Sequence, residues 1–176
     1  MVDVVTLLIG LLLTAPGDAG DAAGLRATAP QYLNAGTAVL HLTAARAAGS
    51  VYGLDPDLLL SIAHHESRYT VARTPEAGGL TSCGVMTPQP LAKCDSTSVT
   101  GGYLEGAAHL RKWVDNTRDQ RTALLGYGGG YRAIKACAAG PVTRVRAGRT
   151  VDLCSVVDIF LGRAYAIKRS RSRTRV

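Results

Sequence analysis

The stretch YGLDPDLLLSIAHHES, residues 52–67, decides how the chain is read. Asp55 followed by Pro56 starts a helix: a short side-chain acceptor stands at the N-cap, and a proline at the first helical position, where its missing N–H costs nothing. Behind it Leu59, Ile62, Ala63 and Glu66 stand at i, i+3, i+4 and i+7, which is one helix face. A carboxylate on an apolar stripe near a helix C-terminus is disfavoured as an ion twice over. Apolar neighbours desolvate it, and the negative end of the helix dipole repels it. A carboxyl kept protonated near neutral pH is what a general acid requires. The same spacing also describes a glutamate at the margin of a buried stripe with its head in water, and both readings stand at this point. His64 and His65 flank Glu66 on different faces, so they do not clasp one metal, and they are expected at the surface with Arg68.

Outward from this helix the pattern stays helical. Thr37 is expected to cap a helix running to about Ala48 and ending at Gly49. Residues 72–100 carry turn chemistry throughout, with room for short strands. A third helix is expected over about 103–116, with Tyr103, Ala107, Leu110 and Val114 on one stripe. A fourth runs from about Asp119 to Tyr127 and stops at Gly128-Gly129-Gly130, with a short helix after it over 131–138. A last helix from Thr150 to near Ile167 presents Leu153, Val156, Val157, Phe160, Leu161 and Ala164 on one face. Hydrophobic residues at 47% and charged ones at 19% describe a globular chain, and 176 residues suffice for one domain with a real core. Aromatics at 5% favour helices over a β-sandwich.

The flanks read differently. The apolar run from Val4 to Ala15 is short for a membrane span and suits a signal-peptide core, so residues 1–22 are expected to be a signal or anchor segment. The start Met1-Val2-Asp3 lacks the usual cation. A hydrophobic arm docked on the body is the alternative. Residues 16–35 are rich in Gly, Ala, Asp and Pro, and 23–35 read as a linker to a body over 36–167. Residues 168–176, KRSRSRTRV, hold five Lys or Arg and no acid, which leaves the rest of the chain at +2 out of a total of +7. This basic tail would seek an anionic cell-wall polymer or a membrane surface, or simply be solvated. The near-neutral body and scarce aromatics argue against nucleic acid.

Four cysteines, Cys83, Cys94, Cys137 and Cys154, lack a CxxC pair or histidines at zinc spacing, and suit two disulfides in an oxidising compartment. Short local loops favour Cys83–Cys94 and Cys137–Cys154; buried free thiols are the other reading. No metal site, phosphate loop or nucleophile elbow is legible, and no cofactor is expected. The triple glycine follows a helix rather than preceding one, so it is a turn or a side-chain-free wall for a bulky polymer.

Four segments together resemble the catalytic domain of soluble lytic transglycosylases. YGLDPDLLLSIAHHES resembles its opening, with Glu66-Ser67 in the place of the Glu-Ser pair. GLTSCGVMTPQP (79–90) is similar to its G-x-x-G-[L/V]-M-Q-x-x-P segment, matched at Gly84, Val85, Met86 and Pro90, with Thr87 where Gln is usual. GYLEGAAHLRKWVD (102–115) is similar to its Gly-x-x-x-Leu helix, here Gly106 and Leu110. ALLGYGGG (123–130) is similar to A-x-x-Y-N-x-G, matched at Tyr127 and Gly130, with Gly128 in place of Asn. The resemblance covers about residues 38–131.

It implies a mainly α fold of the α+β, goose-type lysozyme-like kind: a helical domain with a substrate cleft and a small irregular or β-ribbon lobe. It implies cleavage of the MurNAc–GlcNAc bond of peptidoglycan glycan strands outside the cytoplasm. Glu66 would be the acid and base, and Ser67, Met86, Thr87, Tyr127 and Gly128 would line the substrate site. Glu66 would protonate the glycosidic oxygen and then accept the proton of the C6 hydroxyl, which closes onto C1 to give a 1,6-anhydro sugar. Two rivals are carried with it. A muramidase would add water with a second acid, Glu76 or Asp95. A glycan-binding component of envelope or virion assembly would keep the fold without turnover.

Overall fold

The structure is a computed structural model that describes residues 18–75, 81–87, 98–146 and 149–174. Among these the chain is mainly α, with six helices and two small antiparallel hairpins. The helices are α1 (Asp18–Thr28), α2 (Ala35–Tyr52), α3 (Pro56–Ser67), α4 (Val99–Thr117), α5 (Gln120–Ala139) and α6 (Val156–Arg173). Strands β1 (Ala72–Pro75) and β2 (Thr81–Gly84) pair with Ala72 opposite Gly84; β3 (Thr143–Arg146) and β4 (Arg149–Asp152) pair with Thr143 opposite Asp152.

Helix α3 is central. The Asp55 carboxylate accepts from the Asp57 N–H at 2.8 Å, with Pro56 in the first turn, as the sequence predicts. Every residue from Asp57 to Ala63 is buried, because α2, α4 and α6 pack around it. A run of three leucines, 58–60, on successive faces of a helix is what such a central position requires. Ser61, the polar residue in that run, is satisfied by donating to the Phe160 carbonyl of α6 at 2.8 Å. The helix ends with Arg68 and Tyr69 both left-handed, at φ 57° and 64°.

Other boundaries shift for identifiable reasons. Helix α2 begins earlier and ends later than expected. Asn34, not Thr37, is the N-cap; Thr37 is its reciprocal partner three residues on. Gly49 lies inside the helix, where a Cβ would stand 2.7 Å from the Leu54 carbonyl, and Gly53 at φ 62° makes the cap. Helix α4 starts at Val99, capped by Ser98. Helix α5 starts where expected, with Asp119 as its cap, and at Gly130 (φ 66°, ψ −168°) it kinks before continuing over the residues read as a separate short helix. That conformation is open essentially to glycine alone. Helix α6 starts at Val156, because residues 149–152 form β4. Val157 and Phe160 of its expected face are buried.

Two flank expectations are corrected. The segment expected as a linker, 23–35, belongs in part to α1, which buries Asp21, Ala22, Gly24 and Leu25 against α6 and α2. Its composition looks loop-like because close helix contact demands small residues: a Cβ on Gly24 would lie 2.7 Å from the Arg171 Cα. The basic tail is not a tail up to Arg173. It is the last turn and a half of α6, and Arg171 is buried. Its guanidinium donates to Asp57 through Nη1 and lies 3.4 Å from Asp21 through Nη2. Arg46 pairs with Asp18 and Asp21 on the other side. Ser170 donates to the Gly24 carbonyl at 2.9 Å and Thr174 to that of Gly20 at 2.6 Å. Of the signal or anchor segment 1–22, residues 1–17 lie outside the described residues; the rest is α1.

Cys137 and Cys154 form a disulfide, Cα–Cα 5.6 Å, that ties the end of α5 to the start of α6 across the second hairpin. In the chain-entropy account a loop of this size stabilises by about 3 kcal/mol. Cys94 lies outside the described residues, and with it the expected Cys83–Cys94 pair. No helix among the described residues is long and apolar enough to cross a membrane.

Candidate functional site

The residues singled out by sequence gather where three helices converge on the segment 85–87. From α3, the Ser67 hydroxyl donates to the Val85 carbonyl at 2.6 Å and to the Ala63 carbonyl at 3.0 Å. From α5, the Tyr127 hydroxyl donates to the Met86 carbonyl at 2.6 Å. From α4, Gly106 leaves room for the Met86 side chain: a Cβ there would stand 2.5 Å from the Met86 Cβ. Val85 and Met86 are fully buried. The next residue, Thr87, turns outward with φ at 37°. A β-branched residue at positive φ is strained by about 1–3 kcal/mol, and such strain persists only where the surroundings over-determine it. Thr87 donates its hydroxyl to the Glu66 carboxylate, Oγ1 to Oε2, at 3.0 Å.

This geometry redistributes the roles expected from sequence. Glu66 is exposed, while Leu59, Ile62 and Ala63 of its stripe are fully buried. The carboxylate is therefore at the open margin of that stripe, and the expected apolar surround is replaced by solvent on one side and Thr87 on the other. Ser67, Met86 and Tyr127 do not face outward. They are the frame under the site, with the Ser67 hydroxyl spent on the Val85 and Ala63 carbonyls and the Tyr127 hydroxyl on that of Met86. Burial, and after it the Glu66 charge, hold the Tyr127 phenol well above the ordinary tyrosine range, so its hydroxyl is a fixed donor. Gly128 is exposed, and a Cβ there would meet nothing within 4 Å. Of the expected substrate-lining residues, Thr87 and Gly128 reach the surface and Ser67, Met86 and Tyr127 do not. Glu76 and Asp95, named as second acids, lie outside the described residues.

Sequence patterning does not single out the aromatic rim beside this frame. Trp113 donates its indole N–H to His109 Nε2 at 3.2 Å, one helical turn away. The His109 ring lies 5.3 Å from Tyr127, and Tyr131 packs on Trp113 at 4.9 Å, 68% exposed, just past Gly128 and the kink. Burial, and after it Lys112, lowers the His109 pKa, which favours the neutral acceptor that the indole needs. The i, i+4 spacing of His109 and Trp113 was the available signal, but a core pair has the same spacing.

His64 and His65 are half-buried, where the sequence places them at the surface. His65 packs edge-on against Phe160, and His64 lies between Tyr32 and Tyr69. Among the described residues no group of three His, Cys, Asp or Glu is placed to hold a metal ion. No family model, no curated protein and no solved structure matches this chain.

Proposed function

We propose that the protein is a peptidoglycan lytic transglycosylase that cleaves the MurNAc–GlcNAc bond, with Glu66 as the acid and base. One observation carries the reading: an exposed glutamate at a helix C-terminus, fixed by the hydroxyl of a strained threonine, on a frame pinned by three helices. A group held this way is oriented before substrate arrives. The order of the sequence segments that resemble the family supports the substrate class, and the exposed Tyr131 ring over Trp113 supplies a face on which a sugar can pack.

In this reading the fold is of the lysozyme-like kind, and a glycan strand lies across Glu66, Thr87 and Gly128. Covering the carboxyl with sugar excludes water and favours its proton-donating form. Glu66 protonates the bridging oxygen, and the muramic N-acetyl group stabilises the oxocarbenium-like state. The resulting carboxylate then takes the C6 hydroxyl proton as that oxygen bonds to C1. Work on peptidoglycan places the protein outside the cytoplasm, which agrees with the Cys137–Cys154 disulfide. Exposed Lys168, Arg169 and Arg173 on α6 would serve contact with anionic wall polymer or membrane surface, and such an enzyme would act within envelope or virion assembly.

Mass spectrometry of digested peptidoglycan tests this directly. The expected products are anhydro-muropeptides, lighter by one water than hydrolytic ones, and Glu66→Gln should lower their yield by at least about 100-fold. Reducing-end muropeptides would assign the muramidase reaction. Binding without cleavage by the wild type would assign a glycan-binding component.

A further inference from the structure

On the side of α3 turned away from Glu66, rings alternate from the surface to the core. Tyr32, 43% exposed, lies 5.5 Å from His64; His64 lies 5.4 Å from Tyr69; Tyr69 lies 5.1 Å from His41; and His41 lies 5.8 Å from Tyr103. The inner end is satisfied, because His41 Nδ1 and the Tyr103 hydroxyl are 3.2 Å apart. The outer end is not. Both ring nitrogens of His64, the Tyr69 hydroxyl and Arg163 Nη1 are buried without a hydrogen-bond partner among the described residues. These atoms come from three places in the fold: α3, the left-handed turn after it, and α6.

Buried polar groups are almost always partnered, and leaving a guanidinium nitrogen unpaired costs more than leaving a neutral one. The charges around this cluster share a sign. Arg68 adds to the cost of the Arg163 charge, and both act on His64, as does His65. The carboxylate felt by Tyr69 is Asp57, which is already paired with Arg171. Arg68 spends its Nη1 on the His64 and His65 carbonyls. What remains is a guanidinium edge, which only donates, and a phenol hydroxyl and an imidazole, each able to donate as well as accept. Their complement is a compact acceptor with negative charge.

We propose that Arg163, His64 and Tyr69 form a binding site for a small oxyanion, a carboxylate or a phosphate, entered past Tyr32. The site is separate from Glu66 and does not depend on the glycan reading. The anion takes the Arg163 edge and the Tyr69 hydroxyl, and makes His64 its third donor. Burial and then Arg163, Arg68 and His65 lower the His64 pKa to about 4 in the free protein, and a bound anion opposes all four.

The test is an NMR titration of the His64 imidazole in the full chain, with sodium formate, sodium phosphate or sodium chloride at equal ionic strength. The expected result is a rise of the His64 midpoint by about one pH unit, a 10-fold gain in proton affinity, with formate or phosphate but not chloride. Response to formate alone assigns a carboxylate ligand, and response to phosphate alone assigns a phosphate. Arg163→Gln should abolish the response, as should Arg163→Met if the first variant does not fold. An unchanged midpoint with both oxyanions, an equal shift with chloride, or a full response in a folded Arg163 variant would each overturn the site.

Discussion

Arg171→Met removes the guanidinium that α6 sends into the body and leaves Asp57 and Asp21 to face each other's surroundings without it. The side chains of Arg171 and Asp57 are 10% and 7% exposed. Breaking such a pair from one side costs about 3–5 kcal/mol, because the survivor stays buried and charged. For a chain of this length that corresponds to a loss of about 6–20 °C in Tm. The loss should depend on pH. Burial already pushes the Asp57 carboxyl up, and Arg171 is the main opposing influence. Without Arg171 the folded-state pKa lies further above the unfolded one, so the folded variant holds a proton that the unfolded chain releases, and stability falls as pH rises. Urea denaturation at pH 5 and pH 8 should therefore show the larger deficit at pH 8. Asp57→Asn combined with Arg171→Met should recover part of it. A deficit at pH 8 below about 1 kcal/mol would show that the pair behaves as a solvated one, and would refute the burial argument. By the same reasoning, deleting residues 168–176, harmless for a solvated tail, should destabilise the protein at least as much as Arg171→Met, because it also removes the Ser170 and Thr174 bonds to α1.

Gly126→Ala places a Cβ 2.3 Å from the Trp113 ring and should cost about 1–3 kcal/mol, whereas Gly128→Ala, with open space around it, should gain about 0.5–1 kcal/mol; chemical denaturation of the two separates packing from propensity. His41, held by burial at a pKa of about 4 against 6.5 when unfolded, binds its proton more readily in the unfolded chain. Its stabilisation, up to about 3 kcal/mol, is present above pH 6.5 and lost as pH falls toward 4, so His41→Gln should flatten the dependence of stability on pH in that window; an unchanged slope refutes it. If Thr87 positions Glu66, Thr87→Val should lower kcat about 10-fold at unchanged KM and Thr87→Ser should restore it, since a hydrogen bond to a charged group is worth about 1.5–3 kcal/mol; equal kcat in all three removes that role.

Helix starts carried by local chemistry were legible: Asp55-Pro56 caps where its side chains predict, and α5 begins close to Asp119 as read. Features set by contacts across the fold were not. The Gly/Ala-rich segment around Gly24 looks like a linker in one dimension, and only the backbone of α6 against it explains the small residues. Arg171 looks like one more cation in a run, because nothing local announces Asp57, 114 residues earlier. In the site, the sequence points to residues that lie close together but not to how each is turned. Ser67, Met86, Thr87 and Tyr127 do gather around Glu66. Ser67 and Tyr127 are turned inward by the carbonyls their hydroxyls reach, Met86 by its packing at Gly106, and Thr87 outward to the Glu66 carboxylate, and periodicity carries no such information. The exposure of Glu66 itself follows from its place in the last turn of α3, where the buried stripe runs out.

The docking of α1 on α6 also orders the folding reaction. The bonds that join them span 146 to 154 residues. Closing a flexible loop of that length costs about 4 kcal/mol of chain entropy, apart from a constant, before any contact repays it. Helices α2, α3 and α4 meet through much shorter loops, so their association is the natural nucleus and α1 is a late arrival. In the reverse direction α1 is the first large piece to leave, and its departure carries Asp21 away from both Arg46 and Arg171. The expectation is a helical body closed by a long-range clasp, with partial opening at the clasp before global unfolding, which native-state hydrogen exchange would register as weaker protection in α1 than in α3.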